Sequence, residues 1–190
     1  GVAVHQPMNP ILQRHGVRLA IALYAVLLLP PVKQLLDATM TAQMLVQIPL
    51  LIGAGYLLRD ALPHRTRLEI ARWNHRGISG LVLASVTTIV WMLPRLLDAA
   101  TSEPLVAAAK FISVPLLIGL PLGLSWPHMG FVIKGFLVLE VIATFFRLGW
   151  LYLISPDRLC SNFLLDDQQR LGEYMLLTGA TLLVAVAGRL

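Results

Sequence analysis

Six stretches of this chain carry almost nothing but apolar side chains, at residues 17–36, 40–58, 78–97, 105–124, 131–154 and 171–187. Each is roughly twenty residues long, the length a helix rising 1.5 Å per residue needs to cross the hydrocarbon layer of a bilayer. Runs such as Leu27-Leu28-Leu29 and Met175-Leu176-Leu177 place apolar groups on every side of a helix. A membrane β-barrel would instead show shorter segments alternating apolar and polar residues. The pattern predicts an all-α fold, a polytopic transmembrane bundle of about six crossings forming one domain over residues 1–190, with connections too short to fold separately. Pro30-Pro31, Pro49, Pro94, Pro115 and Pro121 are expected to kink or end helices and to free backbone carbonyls for other partners. Gly119 and Gly123 form a small-xxx-small step that lets a neighbouring helix approach closely.

The polar residues between the apolar runs set an expected orientation. Arg14 and Arg18 flank the first run, Arg189 follows the last, and Arg59, Arg65, Arg67, Arg72 and Arg76 crowd the second connection, which the positive-inside rule makes cytoplasmic. The alternate connections carry Asp37, Asp98, Glu103, Asp157, Asp166, Asp167 and Glu173 against Lys33, Arg95, Arg158 and Arg170, so they are expected outside and both termini inside. A hydrophobic share of 57%, a charged share of 13% and a mean hydropathy of +0.74 agree with a multi-pass membrane protein. The net charge of +5 is accounted for by the cytoplasmic cations, which sets nucleic acid aside as a partner and leaves membrane lipids. Residues 63–76 can lie along the headgroups, with Leu68, Ile70 and Trp73 dipping in, or form a solvated loop.

Ionisable groups inside an apolar run are costly and call for partners. Lys110 and Lys134 lie near helix ends and are expected to snorkel to the headgroups. Glu140 and Arg147 are seven residues apart, on one helical face but about 10 Å apart along the axis. That spacing reads as too long for a direct pair, so each is expected to meet another helix or another subunit, with proton transfer as the alternative role for Glu140. Cys160, the one cysteine, allows no intrachain disulfide or thiolate cluster. His5, His15, His64, His75 and His128 fall near expected cytoplasmic ends or connections. No nucleophile with its base, no Gly-rich phosphate loop and no cleavable signal pattern stands out, so a soluble-type enzyme is excluded.

The second run opens Thr41-Ala42-Gln43-Met44-Leu45-Val46-Gln47, and the third ends Trp91-Met92-Leu93-Pro94-Arg95-Leu96-Leu97-Asp98-Ala99-Ala100. Pro104-Leu105-Val106 and Asp166-Asp167-Gln168-Gln169-Arg170-Leu171-Gly172 follow. In this order the segments resemble the CtaG-like family, membrane proteins associated with copper insertion into cytochrome c oxidase. The resemblance touches nearly the whole chain, and the family usually has a further crossing before these. Its histidine positions are held here by Gln43, Gln47, Met92, Ala107 and Phe111, and its glutamate position by Lys110, whereas Asp167 and Gln168 look retained. Imidazole is a good copper ligand and carboxamide a poor one, so the resemblance implies a scaffold whose metal site has been dismantled.

The expected function is therefore that of a non-catalytic CtaG-like membrane subunit or assembly partner of a larger membrane enzyme, a copper-dependent respiratory oxidase. No cofactor is expected, and Gln43, Gln47, Glu140, Arg147, Asp167 and Gln168 would serve helix contacts or docking. The alternative is a Cu(I) carrier that uses the thioethers of Met40, Met44 and Met92 at the outer face. A small transporter titrating Glu140 is the weakest reading, because no repeated halves are visible.

Overall fold

The computed structural model describes residues 10–156, 159 and 163–189, with side chains from residue 14 onward. His5, Asp157, Arg158 and Cys160 lie outside them. The described chain is helical with no strand: α1 (Pro10–Leu28), α2 (Pro30–Asp37), α3 (Met40–Ala61), α4 (His64–Trp73), α5 (Ile78–Trp91), α6 (Pro94–Ser102), α7 (Pro104–His128), α8 (Phe131–Ile154) and α9 (Leu165–Ala187).

Helices α3, α7 and α9, of 22, 25 and 23 residues, are each long and apolar enough to cross a membrane. The first and third expected crossings are broken. The chain bends by 71° between α1 and α2 and by 69° between α5 and α6, so among the described residues the candidate spans number three, or up to five if each bent pair counts as one. Proline sets both breaks: Pro30 and Pro94 each start the second helix of the pair, where a missing N–H costs nothing and the ring fixes a helical φ. The segment expected as the fifth crossing is one helix of 24 residues, α8, but Lys134, Glu140 and Arg147 interrupt its apolar run. Six uninterrupted crossings are thus not what the fold shows. Large apolar side chains nevertheless cover the outside, including Leu105 at 85% exposure, Phe131 at 82% and Val184 at 71%. A surface this apolar belongs against lipid or another protein.

The remaining prolines act inside helices. A helix residue normally donates to the carbonyl four positions back, and Pro115 has no N–H to give to Phe111. The Phe111 carbonyl instead accepts a hydrogen bond from the Tyr24 hydroxyl at 3.0 Å. Around the same proline, Val114–Gly119 is wound as a π-turn, and Gln43–Gln47 is a second π-turn just before Pro49. Wider turns absorb the residues that proline would otherwise push out of register.

Helices α3 and α7, each carrying one of these π-turns, form the centre of the bundle. Gly55 on α3 lies against the Pro115 backbone, Gly119 on α7 lies against the Ile52 carbonyl, and a Cβ on Gly123 would sit 2.7 Å from the Tyr56 carbonyl. The small-xxx-small step therefore does what its spacing predicts, and Gly55 completes it from the facing helix. Helix α1 packs on the other side of α3, and α5 closes over α7. Helices α8 and α9 form an antiparallel hairpin whose backbones touch at Gly149 and Gly172, where a Cβ on either glycine would lie within 2.9 Å of the other's carbonyl oxygen.

The bundle has two chemically distinct ends. Arg14, Arg59, the basic helix α4 and the turn at Arg76-Gly77 gather at one, where Gly16 faces the Asp60 carboxylate. There Asn74, 6% exposed, donates to Ser125 Oγ at 2.7 Å and accepts from the Gly80 N–H at 2.9 Å, tying the connection down. Residues 63–76 are thus mostly helix, with Trp73 86% exposed and Ile70 half-buried against the bundle. His15, His64, His75 and His128 lie at this basic end.

Candidate functional site

The opposite end holds a buried polar cluster in an otherwise apolar core. Lys110, on the second turn of α7, is 0% exposed. Its ammonium donates to Gln47 Oε1 at 2.7 Å and to Asp37 Oδ1 at 3.4 Å, and Gln47 Nε2 donates to the same Asp37 oxygen at 3.0 Å. The three side chains close a triangle drawn from α2, α3 and α7. The expectation that Lys110 snorkels to the headgroups is wrong. The proline break at Leu29 lays α2 across the bundle end, bringing a carboxylate to the lysine, and a paired ammonium needs no route to water. Lys33 joins from α2, so that the Lys33 and Lys110 ammoniums lie 5.8 and 5.6 Å from the Phe111 ring centre. Lys134, by contrast, stays near its helix end with its ammonium 5.3 Å from the Trp126 ring centre.

Gln43 and Gln47 sit in the π-turn of α3 and are both 0% exposed. Gln43 reaches the Leu97 carbonyl at a long 3.5 Å, and its Oε1 is a buried acceptor with no hydrogen-bond partner among the described residues. Gln168 does a different job at the same end. Its Oε1 accepts from the Leu159 N–H at 2.9 Å and its Nε2 lies 3.4 Å from the Tyr152 carbonyl, so it ties the α8–α9 connection to the end of α8. Asp167 is half-buried in the first turn of α9, a position where a carboxylate suits the helix dipole.

The three methionines proposed for copper lie in or against the hydrophobic core. Met40 and Met44 are 1% and 3% exposed among Leu97, Phe111 and Trp91, and Met92 packs against the same cluster from the end of α5. The Tyr152 hydroxyl donates to Met44 Sδ at 3.8 Å, which engages that sulfur and docks the hairpin onto α3. Trp91 in turn donates from Nε1 to Ser113 Oγ at 2.8 Å. Among the described residues no group of three histidine, cysteine, aspartate or glutamate side chains converges as a metal site. The cation buried at this end of the bundle is the protein's own Lys110 ammonium, bonded to Gln47 and Asp37.

Glu140 and Arg147 lie apart from this cluster, on α8. They find each other rather than another helix: Arg147 Nη2 bonds Glu140 Oε1 and also reaches Thr144 Oγ1 at 3.3 Å. Two long side chains leaning along the helix span seven residues, with Thr144 between them as a relay, which the axial spacing alone did not suggest. Their side chains are 49% and 63% exposed, so the pair faces away from the rest of the chain.

Sequence reasoning singled out Lys110 by the cost of its charge but missed Asp37 as its partner, 73 positions away. It also missed Tyr24, Tyr152 and the Asn74–Ser125 pair, each of which depends on a tertiary contact. Only the missing N–H of Pro115, which orphans the Phe111 carbonyl, pointed toward one of them. Comparison with protein-family models, with curated proteins and with solved structures finds no match to this chain.

Proposed function

We propose that this chain is a non-catalytic, CtaG-like integral membrane subunit or assembly partner that docks on a larger membrane enzyme, a copper-dependent respiratory oxidase, through the outer face of α8. The observation that carries the docking is the Glu140–Arg147 pair, exposed near the midpoint of a 24-residue apolar helix. An ion pair facing hydrocarbon there is costly, whereas a partner helix offers hydrogen bonds to the carboxylate oxygens and guanidinium donors left free. Phe136, Leu139 and Trp150, all more than half exposed, extend the same helix surface as apolar contact area. The oxidase as partner rests on the family resemblance at Thr41–Gln47, Trp91–Ala100 and Asp166–Gly172, and the basic end of the bundle favours a cytoplasmic placement for that end and for both termini, in a bacterial inner membrane.

The buried cluster fits this reading as a lock rather than a reaction centre. Lys110, Asp37 and Gln47 join three helices through hydrogen bonds that consume their chemistry. Purification in mild detergent followed by identification of what copurifies tests the proposal. An oxidase subunit should come with the wild-type chain, and Arg147→Leu should lower its recovery while leaving the chain itself folded. Recovery of the chain alone, or unchanged recovery in the variant, would count against it. Copper retained under reducing conditions, and lost on replacing Met40, Met44 and Met92, would overturn the structural role in favour of a Cu(I) carrier.

A further inference from the structure

Helices α1 and α7 stand apart over α3 and leave an apolar groove of about 370 Å³, none of whose lining residues is on α8. Small residues make the depression: Ala20 and Ala25 on one wall, Ala54 and Gly55 on the floor. Tyr24 bridges the two walls by donating to the Phe111 carbonyl, so its hydroxyl is already used. The groove offers an occupant no charge and almost no hydrogen bonding.

Its one polar edge lies on α1. Arg14, Arg18, Ile21, Ala25 and Leu28 follow one another at steps of four, three, four and three residues, which puts them on a single stripe of the helix. The last three line the groove, and the two arginines, both exposed, continue the stripe toward the basic end of the bundle. The nearby acid, Asp60, faces Gly16 and is ion-paired with Arg59 at 3.6 Å, so it does not neutralise them. From Arg18 to Leu28 the helix rises about 15 Å, half the ~30 Å hydrocarbon thickness, which is the depth that one leaflet's acyl chain reaches.

We propose that this groove is a site for one anionic phospholipid, with an acyl chain lying between α1 and α7 and the phosphate held by Arg14 and Arg18. The two ends of such a lipid match the two ends of the stripe: an apolar chain where the wall is Ile21, Ala25 and Leu28, and a negative headgroup where it turns basic. The site is independent of docking through α8.

Native mass spectrometry of the full chain in mild detergent, titrated with phosphatidylglycerol or with phosphatidylcholine of the same acyl chains, tests this. One phosphatidylglycerol should be retained per chain, with a preference over phosphatidylcholine of about thirty-fold, as two interfacial arginines supply. Arg14→Gln with Arg18→Gln should bring the two lipids level, and Ala25→Phe, on an exposed position, should lower retention of both. Equal retention of the two lipids by the wild-type chain, or no effect of Ala25→Phe in a protein whose thermal unfolding is unchanged, would overturn the proposal. Crosslinking from position 25 to a protein helix instead of to lipid would overturn it as well.

Discussion

Lys110 carries the largest charge problem in the core and shows how it is solved. An ammonium taken out of water loses several kcal/mol of solvation, and close partners must return it. Asp37 supplies the opposite charge and Gln47 Oε1 the shorter hydrogen bond, 2.7 Å. Removing one member leaves the other stranded, so Asp37→Ala should destabilise the chain by about 3 kcal/mol or more in thermal unfolding in detergent. Replacing both ends, Asp37→Leu with Lys110→Met, should recover most of that loss. A double variant no better than the single one would mean that the pair is not what holds α2 to α7. At this scale the sequence was half legible. The cost of a charge in an apolar run marked Lys110, but nothing local to Asp37 announces that a proline break will fold its helix over the lysine.

Between elements, what matters is how close two backbones come. Gly55 and Gly119 let α3 and α7 meet with no side chain between them, whereas Gly53, on the same helix, has open space where its Cβ would be. Gly55→Ala should therefore force the helices apart and cost about 1–3 kcal/mol or more. Gly53→Ala should be neutral or stabilise by up to about 1 kcal/mol through helix propensity. Similar effects of the two substitutions on the melting temperature would refute the close approach. Tyr24→Phe should cost about 1 kcal/mol by orphaning the Phe111 carbonyl that Pro115 leaves free. The prolines and the Gly119–Gly123 step could be read from the sequence because each acts through a fixed local property, a missing N–H or a missing Cβ. The direction of each bend could not, because it depends on which neighbour the second helix finds.

For the molecule as a whole, the α8–α9 hairpin is where an exposed ion pair lies among large exposed apolar side chains. Tyr152 docks it onto α3 through Met44 Sδ, Gln168 and the Gly149–Gly172 crossing hold its two helices together, and Phe131, Val132 and Phe136 near the start of α8 stay open. Because Glu140 and Arg147 touch mainly each other and Thr144, Glu140→Gln and Arg147→Leu should each shift the stability of the isolated chain by less than about 1 kcal/mol. Their effect should appear in recovery of the partner complex, and a large loss of intrinsic stability would show that the pair belongs to this chain's own packing.

The amino-acid sequence by itself determined the helical character, the apolar runs long enough to cross a membrane, the places where prolines interrupt helices and the clustering of cations in one connection. Those follow from side-chain transfer energies and backbone geometry that each residue carries with it. Tertiary structure decided that two of the expected crossings are bent helix pairs, that Lys110 is locked by Asp37 and Gln47, and that Glu140 and Arg147 bond each other while facing outward. Such outcomes turn on distances between residues far apart in the chain, and those distances are fixed only when the helices pack.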